Sequence, residues 1–312
     1  MKTRNETVVR KFPIDPLYEV VTNRIITMIE NGVAPWRMPW STYGLARNYF
    51  SGRLYTGINY LLMNNTRHSI PYFLSFKQVK ELGGNIKNGA KSEMVIYYKV
   101  YYKDANKITL TNEEAKERLL KGEDIKALRF IRYFNVFNID DIEGIDLDQN
   151  KFNEAKLTAN EKIARCEEII QNMPDPPLFR QINANRAFYS PSEDFINLPS
   201  INQFKSSEYY YVTCFHELIH STGHASRLGR KEVMDSTGFG SKLYIKEELV
   251  AEMGTSYLTN FCQIDYEEIV GNSASYLAGW LNVLKEDPLF IFKVSAESQR
   301  AMDYILKKLY FD

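Results

Sequence analysis

The 312-residue chain is poor in cysteine and histidine and has no long apolar segment. Its three cysteines, Cys166, Cys214 and Cys262, lie far apart, so the sequence offers no disulfide framework of the kind found in small secreted proteins. No run of about 18 apolar residues occurs, which argues against a membrane-spanning helix. No apolar segment of signal-peptide type follows the first residues. From these absences we expect a cytoplasmic protein that does not bind membranes.

Acidic residues are missing from one long segment of the first half. No Asp or Glu occurs between Glu30 and Glu81, although the net charge of the whole chain is zero. The first 100 residues carry fourteen Lys or Arg and only six Asp or Glu, and the rest of the chain has a compensating acidic excess. This uneven distribution predicts two units with different partners.

The hydrophobic pattern predicts an α+β fold in two domains. Apolar residues recur at helical spacing in 17–31, 75–82, 156–172, 209–221, 246–258, 274–284 and 295–309. They follow strand patterns in 94–103, 128–139 and 188–198. The acidic segment 140–154 lacks an apolar pattern and is interpreted as a linker. We therefore expect a first domain at 1–145 and a second at 146–312.

A metal-binding motif lies in the second domain. The residues His216-Glu217-Leu218-Ile219-His220 match HExxH, in which histidines at i and i+4 share one helix face and can bind one ion. Glu217 would lie beside that face, where it can take a proton from water that attacks a carbonyl group. Because Leu218 and Ile219 are apolar, the helix is expected to be buried, and a buried His-Glu-His cluster without a metal would be costly.

The motif leaves the third protein ligand open. His224 is close in sequence, but positions i, i+4 and i+8 of a straight helix span about 12 Å, which is too far for one ion. We expect it to cap the helix or to support the site. Thermolysin-like enzymes use a glutamate of a second helix, and here Glu248 is the candidate ligand, while Glu252 would orient a ligand histidine. Glu247 would then point elsewhere, unless the pattern is shifted by one residue.

The metal expected from these ligands is Zn²⁺, with Mn²⁺ as an alternative, because both ions accept histidine and carboxylate ligands. The segment 194–197 precedes the motif by about twenty residues. By analogy with zincins, it is predicted to be an edge strand that pairs with an extended peptide. An ordinary strand within a sheet is an equal alternative.

The acid-free segment also combines aromatic with basic residues. Between Trp36 and Phe76 it contains ten aromatic residues, interleaved with Arg and Lys. Single-stranded nucleic acid binds such surfaces through base stacking and phosphate pairing. The alternative is that these rings form a core. The candidate DNA contacts are Trp36, Arg37, Trp40, Arg53, Tyr55, Asn59 and Lys77.

Several long segments resemble the ArdC-type antirestriction proteins of conjugative elements. In the first half these are IENGVAPWRMPW (29–40), GRLYTGIN (52–59), FLSFKQVKELGGNIKNG (73–89) and FNVFNIDDIEGI (134–145). In the second half they are FYSPSEDFINLP (188–199), YYYVTCFHELIHSTGHASRLGR (209–230), YIKEELVAEM (244–253) and YLAGWLNVLKED (276–287). The resemblance therefore covers most of the chain.

The resemblance implies an N-terminal single-stranded-DNA-binding domain and a C-terminal zincin-like metallopeptidase domain. It assigns metal binding to His216, His220 and Glu248 and catalysis to Glu217. Members of the family are thought to protect incoming single-stranded plasmid DNA from host restriction. The expected partners are therefore single-stranded DNA and a protein substrate that the sequence does not identify.

Three functions remain open at this point. The chain is expected to be a DNA-binding metallopeptidase of a mobile element. It could instead be a DNA-protecting binding protein whose metal site is structural or catalytically silent. A metal-dependent nuclease is the third alternative. Two histidines and one glutamate favour carbonyl chemistry over the carboxylate-rich two-metal sites of most nucleases.

Overall fold

The computed structural model describes residues 15–36, 44–63, 66, 68, 70–148, 152, 157–182, 185–234, 241–264 and 274–310. Its helices are α1 (Pro16–Glu30), α2 (Ile58–Met63), α3 (Phe76–Glu81), α4 (Asn112–Leu120), α5 (Ala159–Asn172), α6 (Ser207–Ser221), α7 (Lys231–Met234), α8 (Lys242–Phe261), α9 (Ala274–Glu286) and α10 (Phe290–Tyr310). Its strands are β1 (Arg47–Asn48), β2 (Tyr72–Ser75), β3 (Asn85–Ile86), β4 (Glu93–Lys103), β5 (Thr109–Leu110), β6 (Lys126–Asn138), β7 (Ile142–Glu143), β8 (Leu178–Arg180), β9 (Phe188–Ser190) and β10 (Phe195–Asn197). This composition confirms the predicted α+β class. None of the described helices is both long and apolar enough to cross a bilayer.

Local signals determine the first helix. Asp15 accepts a hydrogen bond from the Leu17 amide at 2.9 Å and caps α1, and Pro16 occupies its first turn. Gly32 follows the helix with φ +79, a conformation that favours glycine. The buried face of α1 includes Val21 and Ile25, as the sequence predicts.

The larger sheet has the strand order β1-β2-β6-β4-β5. Its central pair, β4 and β6, is antiparallel over eleven paired positions, from Glu93 opposite Val136 to Lys103 opposite Lys126. Strand β2 extends the sheet on the other side of β6, again antiparallel, with Leu74 opposite Phe137. The long β4–β6 pair is therefore the main structural element of the first half.

A second sheet lies in the HExxH half and has the order β8-β10-β9. Strand β10 is parallel to β8 and antiparallel to β9, so it is the middle strand. Of the two alternatives for 194–197, the strand within a sheet is therefore confirmed, and the edge strand is wrong. Strand order depends on pairing between distant segments, and here β8 and β9 occupy the two edges.

The interpretation of 140–154 as a linker is wrong for its described part. A 3-10 turn at Ile139–Asp141 leads into β7, which pairs with β3. Ile139, Ile142 and Phe152 are buried in a small core together with Tyr49 and Tyr72. In this segment the apolar residues are separated by acidic residues at irregular intervals. The sequence therefore does not show which positions are buried.

The two halves share one hydrophobic core. The largest cluster of buried residues joins Ile25, Trp36 and Leu61 of the first half to Leu218 and Trp280 of the second. Helix α1 also packs against α9, and α2 packs against α10. The predicted division at 145/146 therefore separates segments that fold against each other.

A buried hydrogen-bond chain reinforces this shared core. Ser256 of α8 donates to the carbonyl oxygen of Trp36, so its hydroxyl must accept the bond from Tyr60, whose oxygen lies 2.9 Å away. The Tyr60 oxygen in turn accepts from Asn260 Nδ2 at 2.6 Å. Burial raises the pKa of Tyr60 far above its usual value, so the hydroxyl keeps its proton.

Replacing Tyr60 by Phe is expected to lower the free energy of unfolding by about 1 to 3 kcal/mol, because Ser256 and Asn260 would lose a buried partner. Urea unfolding of the full chain measures this change. Tyr133→Phe is the matched control, since Tyr133 is 55% exposed. Equal stability of the two variants would contradict the proposed link between the halves.

Candidate metal centre

Helix α6 presents the HExxH residues from a tightly packed position. It begins after Ser206, whose hydroxyl accepts from the Tyr209 amide at 3.5 Å, and its buried face includes Phe215 and Leu218. Helix α8 packs directly against it. A Cβ on Gly254 of α8 would lie 2.6 Å from Cδ1 of Ile219, so only glycine permits this close approach. The close contact brings the side chains of α8 within reach of the histidines.

Three predicted ligands converge at one point. The Nε2 atoms of His216 and His220 are 3.1 Å apart, and each lies 3.7 Å from an oxygen of Glu248. One donor atom from each residue falls within 4.8 Å of the other two. Two imidazoles and a carboxylate are a ligand set that suits Zn²⁺ and Mn²⁺. These three residues therefore fit a divalent metal ion.

Two further glutamates of α8 surround the histidines. Glu247 lies 3.0 Å from Nδ1 of His220, at hydrogen-bonding distance. Glu252 approaches Nδ1 of His216 at 3.9 Å, in the region predicted for an orienting acid. The prediction that Glu247 points elsewhere is wrong. The direction of Glu247 depends on how α8 is rotated against α6, which the spacing along α8 alone does not determine.

Arg230 holds Glu247 in place. Its guanidinium donates two bonds to the Glu247 carboxylate, at 2.9 and 2.7 Å, and further bonds to the Ile219 carbonyl and the Thr222 hydroxyl. Burial raises the pKa of Glu247, but the charge of Arg230 and the bonds to Arg230 and His220 lower it more. The net pKa is below its usual value, so the carboxylate stays charged and holds the imidazole ring.

The acidic surroundings also favour a charged His220. Burial lowers the pKa of this imidazole, but the hydrogen bond to Glu247 and the negative charge of Glu248 raise it more, to about 9. A site with this much negative charge attracts a cation, whether a proton or a metal ion.

His224 lies just beyond the end of α6, within a neighbouring polar group. Its Nδ1 lies 2.9 Å from the Ser226 hydroxyl, and Ser226 donates to Asp175 at 2.9 Å. The neighbouring Arg227 is buried and binds Asp194. The chain turns after α6, and among the described residues the group that could share one metal ion consists of His216, His220 and Glu248.

The metal cluster opens into a cleft of about 380 Å³. Glu217, which is 9% exposed, lines this cleft beside the two histidines. Phe188 and Tyr189 of β9 also line it, as does Tyr244 of α8. The site therefore combines three ligand side chains, a carboxylate and an edge strand around one cavity.

Replacing Glu247 by Gln is expected to weaken metal binding by about 10- to 100-fold, because a neutral amide holds the His220 ring less well. Calorimetric titration with Zn²⁺ and Mn²⁺ measures the affinity. Glu286→Gln is the matched control, since it removes a carboxylate from an exposed pair with Lys242. Unchanged affinity in Glu247→Gln would contradict the orienting role.

The predicted DNA contacts are divided between buried, exposed and undescribed positions. Trp36 is 0% exposed and packs edge-on against Trp280, with ring centroids 5.2 Å apart. This position does not fit the predicted contact with DNA, because no base can reach the indole. Arg37 and Trp40 lie outside the described residues.

Two other predicted DNA contacts, Asn59 and Tyr55, make contacts within the protein. Asn59 donates to the Ile96 carbonyl at 2.8 Å and accepts from the Ile96 amide at 2.7 Å, so its amide group is used to hold strand β4. Tyr55 is half-buried against Phe73, and burial raises its pKa to about 12. Neither position fits the predicted DNA contact well. Arg53 and Lys77 are exposed, and Lys77 lies 3.7 Å from Glu81.

Comparison with known proteins identifies both halves. Residues 15–137 match the family described as the N-terminal domain of anti-restriction factor ArdC. Residues 165–297 match a zincin-like metallopeptidase family. These two ranges lie on either side of the predicted boundary.

Three curated relatives are similar over most of this chain. Two proteins named DNA primase TraC, from Escherichia coli, are 33% and 32% identical over 306 and 304 residues, which are 93% and 94% of this chain. The chain spans only 27% and 20% of their length. A Sinorhizobium fredii protein named y4eC is 27% identical over 298 residues, covering 93% of this chain and 91% of its own.

Two solved structures have the same fold. The metal-free antirestriction ArdC protein from plasmid R388 is 29% identical, with a TM-score of 0.71, and the match covers 94% of this chain and 97% of that one. Its Mn(II)-bound structure gives a TM-score of 0.70 at 29% identity and covers 96% and 100%. The manganese in that relative and the zincin-like family agree with a divalent-metal site here. The chain is therefore an ArdC-type protein, in which an ArdC N-terminal domain is followed by a zincin-like domain.

Proposed function

We propose that the chain is an antirestriction protein of a mobile element that binds single-stranded DNA and cleaves proteins with a metal-dependent peptidase site. The observation that carries the peptidase activity is the position of Glu217 in the cleft that His216, His220 and Glu248 also line. A cytoplasmic location agrees with the three cysteines, which are free and buried.

His216, His220 and Glu248 would hold the ion, with Zn²⁺ as the preferred metal and Mn²⁺ as the second choice. A divalent ion bound there would supply Lewis acidity to the substrate carbonyl and lower the pKa of water. The Glu217 carboxylate accepts a proton from the attacking water and then donates it to the leaving amine. Glu247 and Glu252 keep the two imidazole rings in position.

Strand β9 is the proposed binding edge for the substrate backbone. It is one of the two edge strands of its sheet and it lines the cleft, so an extended peptide can add to it as a further strand. Tyr189 of β9 donates to Asp194 at 2.8 Å, and Arg227 binds the same carboxylate. These contacts keep the edge rigid, which favours a fixed position of the scissile bond.

The peptidase proposal is tested with the full chain, loaded with Zn²⁺ or Mn²⁺ or stripped by a chelator. Incubation with a fluorogenic peptide library is expected to show cleavage only in the loaded samples. Labelled single-stranded DNA in the same samples is expected to stay intact. Cleavage of the DNA would favour the nuclease alternative instead.

The DNA-binding proposal is supported by the ArdC N-terminal match, by the antirestriction name of the solved relatives and by exposed basic residues such as Arg53 and Lys77. Binding of the full chain to labelled oligonucleotides at several salt concentrations tests it. We expect tighter binding to single strands than to duplexes, weakening as salt increases. Equal affinity for single strands and duplexes, or no binding to either, would contradict the proposal.

A further inference from the structure

The central pair of the larger sheet has one face with alternating rings and cations. In the antiparallel register Tyr97 lies opposite Arg132, Lys99 opposite Phe130, and Tyr101 opposite Leu128. Directly opposed residues project from the same side of a sheet. We call this surface the β4–β6 face; it comprises Tyr97, Lys99, Tyr101, Leu128, Phe130, Arg132 and Phe134.

Large side chains are exposed on this face. Tyr97 is 44%, Leu128 47% and Phe134 52% exposed. Cations lie beside the rings, with Lys99 Nζ 4.8 Å from the Tyr101 ring centre and Arg132 Cζ 4.7 Å from that of Phe130. The face thus offers both π surfaces and positive charge to the solvent.

Beyond Glu93 at the start of β4, the charged residues of the paired stretches are all basic. Residues 95–103 and 126–134 contain five Lys or Arg and no Asp or Glu. The acid at the start of β4, Glu93, pairs with Arg24 at 2.8 Å. These two stretches therefore contribute only positive charge toward a polyanion.

The opposite side of the pair provides the anchoring. Ile96 is buried in the main core, and the Asn59 side chain binds both its amide and its carbonyl. Tyr98 contacts the Tyr18 ring, with centroids 6.5 Å apart. The four rings of the β4–β6 face, by contrast, belong to none of the buried clusters that the described residues form.

We propose that the β4–β6 face binds single-stranded DNA, with bases stacked on its rings and phosphates paired with Lys99 and Arg132. This inference rests on the proposed DNA binding and names a surface for it. That surface lies outside the acid-free segment in which the sequence predicted the contacts. The stretch from Tyr97 to Lys103 is about 20 Å long, at about 3.3 Å per residue, enough for several nucleotides.

The chemistry of the face favours single strands over duplexes and over a protein partner. Stacking on a ring requires an unstacked base, and the bases of a duplex already stack on each other. Protein interfaces are also rich in aromatic residues and Arg, but the purely positive charge of 95–103 and 126–134 complements a polyanion. We expect DNA to draw Lys99 and Arg132 away from the rings toward phosphates.

Two double variants of the full chain test the surface. Tyr97→Ala/Phe130→Ala is expected to weaken binding to a labelled single strand at least about tenfold, through lost stacking. Lys99→Ala/Arg132→Ala is expected to weaken it as well, and to reduce the slope of log affinity against log salt by about 1.4. Melting temperatures check that both variants fold.

Phe76→Ala/Lys80→Ala is the matched control. Phe76 is 57% exposed, Lys80 Nζ lies 5.7 Å from its ring centre, and both residues belong to the acid-free segment. This variant removes a ring and a cation of the same kind elsewhere and is expected to bind DNA like the wild type. A loss confined to this control would overturn the proposed surface.

Photo-crosslinking to a halogenated oligonucleotide locates the contact without any substitution. Crosslinks at Tyr97, Tyr101, Phe130 or Phe134 would support the proposal.

If wild-type protein binds single strands but neither face variant is weakened and no crosslink falls on the face, the surface is wrong while DNA binding stands. If wild-type protein binds no single strand, the proposed function itself fails. Sedimentation of the protein without DNA tests for self-association. If the wild type self-associates and the face variants do not, the surface binds a second copy of the chain and the proposal is overturned.

Discussion

Replacing Glu217 by Gln is expected to abolish peptide cleavage while leaving metal binding intact. Glutamine keeps the size of the side chain but cannot take a proton from the attacking water. General-base catalysis contributes about 10²- to 10⁴-fold, so the cleavage rate should fall at least about 100-fold. The rate on a fluorogenic peptide and the metal content of the same sample, measured together, separate chemistry from metal loss.

Glu208→Gln is the control for this substitution. Glu208 lies in the first turn of the same helix, and its pKa is lowered mainly by a hydrogen bond with Ser206. Its neutralisation should leave cleavage unchanged. Cleavage by Glu217→Gln at the wild-type rate would exclude Glu217 as the base. A wild-type chain that binds metal but cleaves no peptide would favour a DNA-protecting protein with a silent site.

Replacing Arg230 by Met is expected to lower the free energy of unfolding by about 3 to 5 kcal/mol, because a buried carboxylate loses its ion-pair partner. Arg230 is 6% and Glu247 is 5% exposed, so water cannot replace the guanidinium. Unfolding in urea is measured with chelator present, since bound metal would add its own stabilisation. The wild type provides the reference.

The double variant Arg230→Met/Glu247→Gln completes the test. Removing both charges should recover part of the lost stability, since the uncompensated charge has gone. A loss below about 1 kcal/mol in Arg230→Met, or no recovery in the double variant, would contradict the role of Arg230 in holding Glu247.

Local features of the fold could be predicted from the sequence. The helix predicted at 17–31 forms at Pro16–Glu30. Its cap, its apolar spacing and its terminal glycine are all local signals, because they lie within the helix or directly beside its ends. The convergence of His216 and His220 follows from helix periodicity alone. The apolar residues around Glu248 predict a second buried helix, and the analogy with thermolysin-like enzymes, not the spacing, places that helix beside the histidines.

Long-range features could not be predicted in the same way. The sequence does not specify the rotation of α8, so Glu247 was expected to point away from the site. Trp36 has an aromatic ring of the kind that stacks on bases. Its packing against Trp280, far along the chain, buries that ring. The order of β9 and β10 depends on which strands pair, and periodicity contains no such information.

Titration of the full chain with Mn(II), followed by electron paramagnetic resonance, tests the metal site most directly. We expect the wild type and Glu217→Gln each to bind one ion at the site that His216, His220 and Glu248 form. The variants His220→Ala and Glu248→Ala should lose this binding while remaining folded. Undiminished binding in either of these variants would contradict the assigned ligand set and the peptidase mechanism built on it.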